Sequence, residues 1–377
     1  MECALKEALM RNALIVFETG LQYNRAFVSY LQREIEGHVG ALDTIEFVDK
    51  GDDDIVALLE EIITAHKYLM VVTSESFSFV GKIIATLCRD SLVLREGMLV
   101  PMKSERIAEN SYLIRKGNTQ INVMKIDVGR KLPSILVEGV EKSFAFYLFD
   151  PALAEKLEGQ ITQLEMRFEK VSMIEGVWFY RVRGVHPSQY AALHEIVEND
   201  FGMQTLIGED FTEIVCRLLM QGQSTITAAE SCTGGLFASE VVRHSGVSSI
   251  FAGSIVSYAN AVKMGELGVR ASTLKTYGAV SQECVHEMLR GVLKKFDADY
   301  AVAISGVAGP TGGTAAKPVG TVYVGAKCRG KEQVIRRLSL KGDRAYIREQ
   351  SVFWAFRLLL ETNRAFFFKK IAKTLDK

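Results

Sequence analysis

Cysteine is sparse in this 377-residue chain, and the six present, Cys3, Cys88, Cys216, Cys232, Cys284 and Cys328, are scattered with no CxxC pair among them. That distribution excludes a disulfide framework and a zinc-ribbon arrangement, and it reads as reduced, mostly structural thiols of a cytosolic protein. Charge of one sign is missing as well, since 45 Lys plus Arg balance 45 Asp plus Glu. Such a balance offers no electrostatic case for nucleic acid or an anionic membrane, although a local basic pocket for one phosphate would not register in the sum. No apolar run reaches the roughly 18 residues of a membrane helix, and the opening MECALKEALMRNALIVF carries early acidic residues and no long apolar core. The expectation is a cytoplasmic protein with neither nucleic acid nor membrane as partner. Internal repeats, low-complexity tracts and the GxxxxGK[ST] phosphate-loop spacing are absent too.

Apolar material is plentiful, at 48% hydrophobic residues against 24% charged, over a length that implies two or three domains. Three α/β segments are expected. Residues 1–150 alternate short apolar runs (13–17, 44–48, 68–72) with helical patterns (24–35, 53–65), which implies a parallel sheet with helices on both sides. Residues 151–206 form a small α/β linker domain, with a helix, the strand VWFYRVRGV and a second helix. Residues 207–377 are the most legible. A helical stripe stops at Gly222, strands are predicted at 225–229, 253–258, 300–304, 319–326 and 334–340, and helices at 236–244 and 260–267. A helix capped by Ser281 and a final helix near Asp343 complete the segment.

Candidate chemistry concentrates in that last segment. Ala229-Glu230-Ser231-Cys232-Thr233-Gly234-Gly235 joins a strand to a helix, where unpaired N–H groups around Ser231 could form an oxyanion hole. The plainer alternative is that Ser231 or Thr233 is an N-cap and Gly234 and Gly235 serve a tight turn. As a base, His244 and His286 lack an arguable acidic partner and read as surface or packing residues. Lys263 is the better candidate. It lies one turn into the helix that follows Ser257-Tyr258-Ala259-Asn260, on the rim where parallel strands present ligands, and partial burial would lower its pKa. A solvated helix lysine is the alternative. The loop Ser305-Gly306-Val307-Ala308-Gly309-Pro310-Thr311-Gly312-Gly313-Thr314, with Lys317, could cradle a phosphate or ribose, or be a flexible connection. Arg344 and Arg348 could clamp a phosphate or line a solvated helix face.

Together these pieces resemble the C-terminal domain of the CinA family, the PncC-type nicotinamide-nucleotide amidases. The segments that carry the resemblance are TAAESCTGG, FAGSIVSYANAVK, LGV, GAVS, ISGVAGPTGGTAAKPVGTVYV and KGDRAYIR, in family order. The resemblance implies a hydrolase of pyridine-nucleotide salvage that needs no metal or cofactor, deamidates nicotinamide mononucleotide and assembles as a dimer. Ser231 would be the nucleophile and Lys263 the general base. Thr233, Gly234, Gly235, Tyr258, Asn260, Ser305, Gly306, Gly309, Gly312, Gly313, Lys317, Arg344 and Arg348 would line the substrate site. Ser305 stands where threonine is usual, and Thr311 replaces a small or acidic residue.

The N-terminal segment is similar, more distantly, to the family's molybdopterin-binding-like domain. That domain carries a glycine-rich loop followed by paired aspartates, whereas Val72-Thr73-Ser74-Glu75-Ser76-Phe77-Ser78-Phe79-Val80-Gly81 has lost the glycine run and the acidic pair. The expectation is a degenerate domain without metal-dependent pyrophosphatase activity. Asp52-Asp53-Asp54 reads as acidic capping of a helix and not as a metal site. Two rivals remain open: a non-catalytic, competence-linked nucleotide-binding module, and an N-terminal hydrolase acting on a dinucleotide or ADP-ribose.

Overall fold

A computed structural model describes residues 12–139 and 143–368, so Cys3 and most of the opening segment lie outside the described residues. The fold is mixed α/β, in two compact units spanning residues 1–143 and 144–377.

In the first unit the apolar runs become fully buried strands because alternate side chains serve two cores. Along Asn12–Phe17, Ala13, Ile15 and Phe17 pack with Leu59, Ile62 and Ile84, while Leu14 and Val16 pack with Phe27, Leu31 and Ile35 on the other face. Helices therefore cover both faces of the sheet. Thr44–Val48, Asn12–Phe17 and Tyr68–Thr73 pair in parallel, as the strand–helix alternation predicted, and Thr119–Lys125, which the sequence reading did not identify, joins them in parallel. Ser111–Lys116 and Arg106–Ala108 then extend the sheet antiparallel, which the alternation did not foresee. The cause is local: Lys116 pairs with Thr119 across a two-residue turn containing Gly117 (φ 59°), and a turn that short can only reverse the chain. At the expected acidic cap, Asp54 occupies the N-cap position of Ile55–Ala65 without a side-chain cap bond, while Asp52 accepts from the Asp49 N–H at 2.7 Å.

The second unit contains two sheets. In the smaller one Arg167–Ile174, Val177–Arg183, Phe144–Leu148 and Thr205–Ile207 are antiparallel. Leu157, Ile161, Leu193 and Val197 from two helices cover one of its faces. The larger sheet runs Ser254–Val256, Ile226–Glu230, Tyr300–Gly306, Thr321–Cys328 and Gln333–Ser339, the first three parallel and the last two antiparallel. Helix Gln282–Phe296 starts where Ser281 Oγ accepts from the Cys284 N–H, and buries Val285, Met288, Leu289 and Val292 against Ala229, Ala301 and Ala303. Helix Arg344–Thr362, capped by Asp343, covers the opposite face through Ala355, Phe356 and Leu359. Among the described residues no helix is long and apolar enough to cross a membrane.

The helix bearing Lys263, Asn260–Leu267, ends against Gly291 so closely that a Cβ there would lie 2.0 Å from the Leu267 carbonyl oxygen. Alanine would gain up to about 1 kcal/mol of helix propensity, but relieving a backbone clash costs about 1–3 kcal/mol or more. Gly291→Ala should therefore lower the denaturant midpoint of the second unit. A midpoint equal to or above wild type would contradict this close approach.

Candidate active site

Parallel pairing sends three consecutive strands to one edge of the larger sheet, and the bonds just past their ends fix what meets there. The Ser231 N–H donates to Ile304 O at 2.9 Å, and the Ser257 N–H donates to Glu230 O at 2.7 Å. Ser231 thus leaves its strand alongside the 257–263 segment on one side and the 305–320 loop on the other.

Lys263, one turn into its helix, turns back beneath that edge and is only 1% exposed. Its Nζ lies 3.0 Å from Ser231 Oγ, 2.5 Å from Ser257 O and 3.2 Å from Tyr258 O. Three acceptors match the three donors of an ammonium. With one proton lost, two N–H bonds to the fixed carbonyls would leave the lone pair for the serine hydroxyl. Burial pushes the lysine pKa down from 10.5, and the only opposing influence is negative charge on Cys284 and Cys232. Burial raises both thiols to about 11, so near neutrality they carry no such charge. Neither thiol is a nucleophile under those conditions.

The N–H groups free to act as oxyanion donors are fewer than the sequence suggested. Glu230, fully buried at the strand end, turns its carboxylate to the start of helix Leu236–Val242. There Oε2 accepts from the Gly235 and Phe237 N–H groups and Oε1 from the Ala238 N–H, each at 3.0 Å. The Gly234 N–H donates to Ser231 O. The glycine amides of the turn are therefore engaged, and among the described bonds the Thr233 N–H remains without an acceptor while the Cys232 N–H meets only its own thiol. The capping alternative for Ser231 and Thr233 does not hold, because Glu230 supplies the cap from five residues before the αL Gly235. Thr233 Oγ1 is buried without a partner. Glu230 had no assigned role in the sequence reading. Its signal was a carboxylate at a strand end ahead of a turn that lacks an adjacent cap.

Both candidate arginines converge on this edge, and each is fastened by a backbone carbonyl. Arg348 donates to Thr233 O through Nε (3.2 Å) and Nη2 (2.6 Å), and Arg344 to Gly309 O (2.7 Å) and Tyr258 Oη (3.4 Å). Gly234 and Gly309 adopt positive φ at these contacts, and at Gly309 a Cβ would also strike Val319. The 305–320 loop is not a slack connection. The Val307 N–H donates to Thr321 O, Gly320 N–H to Val307 O and Thr314 N–H to Lys317 O. Ser305 is spent on Ala279 O (2.8 Å) and Lys317 Nζ on Tyr277 O (2.7 Å), while Tyr258 and Asn260 are exposed at the mouth. Gly306 packs tightly on strand residues Thr321 and Val322, and Gly312 and Gly313 lie in the outer part of the loop.

The histidines stand elsewhere. His244 Nε2 meets Thr212 Oγ1 at 2.8 Å, and His286 Nδ1 meets the Gln333 amide. In the first unit, the segment expected to have lost a phosphate loop is occupied by a side chain of the protein itself. Glu18 accepts from the Ser74, Glu75 and Ser76 N–H groups and from the Thr73 and Ser74 hydroxyls. Burial would raise this carboxyl, but the bonds from Ser74, Ser76, Thr73 and Glu75 outweigh it and hold the pKa below 4.5.

The sequence profile described as CinA C-terminal domain covers residues 208–363. A CinA-like protein of Thermotoga neapolitana is 39% identical over 223 residues, 57% of this chain and 53% of that protein. A putative competence-damage inducible protein of a Thermoanaerobacter species is 45% identical over 151 residues, 40% of this chain and 36% of that protein. The chain thus spans about half the length, or less, of these curated relatives. Among solved structures, the competence/damage inducible protein CihA of Agrobacterium tumefaciens is 35% identical, with 41% of this chain covering 97% of it at a TM-score of 0.40.

Glu230→Gln retains one oxygen for the Gly235 and Phe237 amides but sets an NH2 against the Ala238 N–H. Facing two donors in a dry site costs about 1–3 kcal/mol, so chemical denaturation should show a loss of that size. A loss below about 0.5 kcal/mol would match an ordinary surface change and refute the capping role.

Proposed function

Because the chain belongs to the CinA family through residues 208–363, we propose that this region is a serine amidohydrolase that converts nicotinamide mononucleotide to nicotinic acid mononucleotide and ammonia. The observation that carries the reading is the buried Lys263 amine 3.0 Å from the Ser231 hydroxyl, with no carboxylate partner among the described residues.

In this mechanism Ser231 Oγ attacks the carboxamide carbon as Lys263 Nζ takes its proton. The Cys232 and Thr233 N–H groups receive the oxyanion. The tetrahedral adduct collapses, the C–N bond breaks, and Lys263 returns the proton to the departing ammonia, leaving an ester on Ser231. Water then attacks the ester carbonyl, Lys263 takes the water proton, and Ser231 leaves with a proton as the carboxylate product forms. Arg344, Arg348 and the 305–320 loop receive the nucleotide's phosphate and ribose. Their carbonyl partners fix the guanidinium groups without cancelling their charge. The first unit is given no hydrolytic role, since Glu18 already takes the amides at the start of helix Phe77–Leu87.

Ammonia release from nicotinamide mononucleotide with a chelator present tests the proposal. Ser231→Ala should lose at least about 10³-fold in kcat, and Lys263→Arg should lose a comparable amount because a guanidinium stays protonated. Wild type without turnover, or Ser231→Ala at full rate, would leave a nucleotide-binding module instead of an enzyme.

The pH profile tests the base separately. Lys263 acts unprotonated, so kcat/KM should rise with pH as the lysine loses its proton, and burial places that rise below the ordinary 10.5. A basic limb centred at or above 10.5 would remove Lys263 from this role.

A further inference from the structure

Charge without a counter-charge accumulates at a second cavity, between helix Gln282–Phe296 and the end of strand Thr321–Cys328, lined by none of the residues discussed above as the amidase site. It encloses about 720 Å³, within the roughly 300–1,000 Å³ typical of small-ligand pockets. The helix contributes His286, Arg290 and Lys294, four residues apart and so on one face. Arg290 and Lys294 are exposed and have no carboxylate or carbonyl partner among the described residues. Lys327, from the strand, donates to the neutral Lys331 O at 2.9 Å and keeps its charge uncompensated.

The carboxylates of this cavity do not supply the balance. Glu287 is committed to Arg270 and Thr273, and Asp297 to Arg329. Each therefore neutralises an arginine of its own, and three cations are left over in a chain whose formal charge is zero. Lysine in the last turn complements the helix dipole, which accounts for Lys294 but for neither Arg290 nor Lys327. Like charges at i and i+4 repel, so Arg290 beside Lys294 is unfavourable until an anion lies between them. Leu267 and Leu293 add an apolar wall.

We propose that this cavity binds a small molecule carrying more than one phosphate. Arg290, Lys294 and Lys327 pair with separate phosphate oxygens, and Leu267 and Leu293 receive the nonpolar part. The site is independent of the amidase reading.

Calorimetric titration of the full chain with inorganic pyrophosphate, in the Ser231→Ala background and with nicotinamide mononucleotide in excess, tests it. Ionic strength of ~0.15 M screens loose surface attraction. Binding is expected in that background. The double change Arg290→Glu with Lys294→Glu, and separately Lys327→Ala, should weaken it by at least about tenfold. Lys295→Glu, which alters a neighbouring lysine paired with Glu266 outside the cavity, should leave it unchanged. No pyrophosphate binding, equal binding by the double variant, or full displacement by nicotinamide mononucleotide would each overturn the proposal. Because Arg290 and Lys294 are exposed, the variants should melt as the parent does, and Lys327→Ala repeats the test from the opposite wall.

Discussion

A primary amine taken out of water without a carboxylate beside it is the constraint around which the larger sheet is organised. Removing an ammonium from water costs several kcal/mol even after a protein relaxes around it, and a group so placed tends to give up its proton instead. Among the described residues, the partners of Lys263 are uncharged: a serine hydroxyl and two backbone carbonyls. The thiols that could have held it charged are themselves kept neutral by the same burial. A carboxylate in this position would have made an inert ion pair. A buried carboxylate does lie nearby, at Glu230, but it faces the opposite task, with both oxygens committed to the backbone of the next helix. Glu230, which precedes Ser231 in the chain, and Lys263, which reaches it from another helix, are thus each held by backbone groups and not by each other.

That separation depends on strand register. Ser231 is tied to Ile304 and Ser257 to Glu230 by bonds that continue the parallel ladder one residue beyond the strands. The carbonyls that orient Lys263 belong to Ser257 and Tyr258, the first residues after the edge strand Ser254–Val256. A slip of one residue would exchange the faces on which side chains lie and take both carbonyls from the amine. The close approach of the Lys263 helix to Gly291 fixes the same element from its other end.

Much of this was legible in the sequence, for reasons that can be named. Helices with a clear apolar stripe, such as Gln282–Phe296, and strands such as Thr44–Val48 appear where periodicity places them. The Ser231–Lys263 encounter followed from two strand-to-helix junctions on one sheet edge. The antiparallel strands Arg106–Ala108 and Ser111–Lys116 were not foreseen, since short segments such as RIA and SYLIRK carry too little alternation to declare a face. Glu230 was missed because capping signals are sought beside the helix start, whereas here the cap comes from the preceding strand while Gly235 takes the αL position. The occupation of the 73–76 turn by Glu18 was equally hidden, since 55 residues separate Glu18 from Thr73.

The way cations are held distinguishes the edge around Ser231 from much of the surface. Arg115, Arg243 and Arg336 meet carboxylates, which cancels their charge. Arg344, Arg348 and Lys317 meet carbonyl or hydroxyl oxygens instead. A carbonyl fixes the direction of a cation and leaves its field intact, so each group is already oriented toward any anion and little reorganisation would be required to bind one. Whole-chain charge conceals this arrangement, because 45 cations and 45 anions sum to zero whichever partner each one chooses. Electrostatic capacity here resides in the choice of partner, and backbone carbonyls fixed by sheet and loop geometry make that choice at the site.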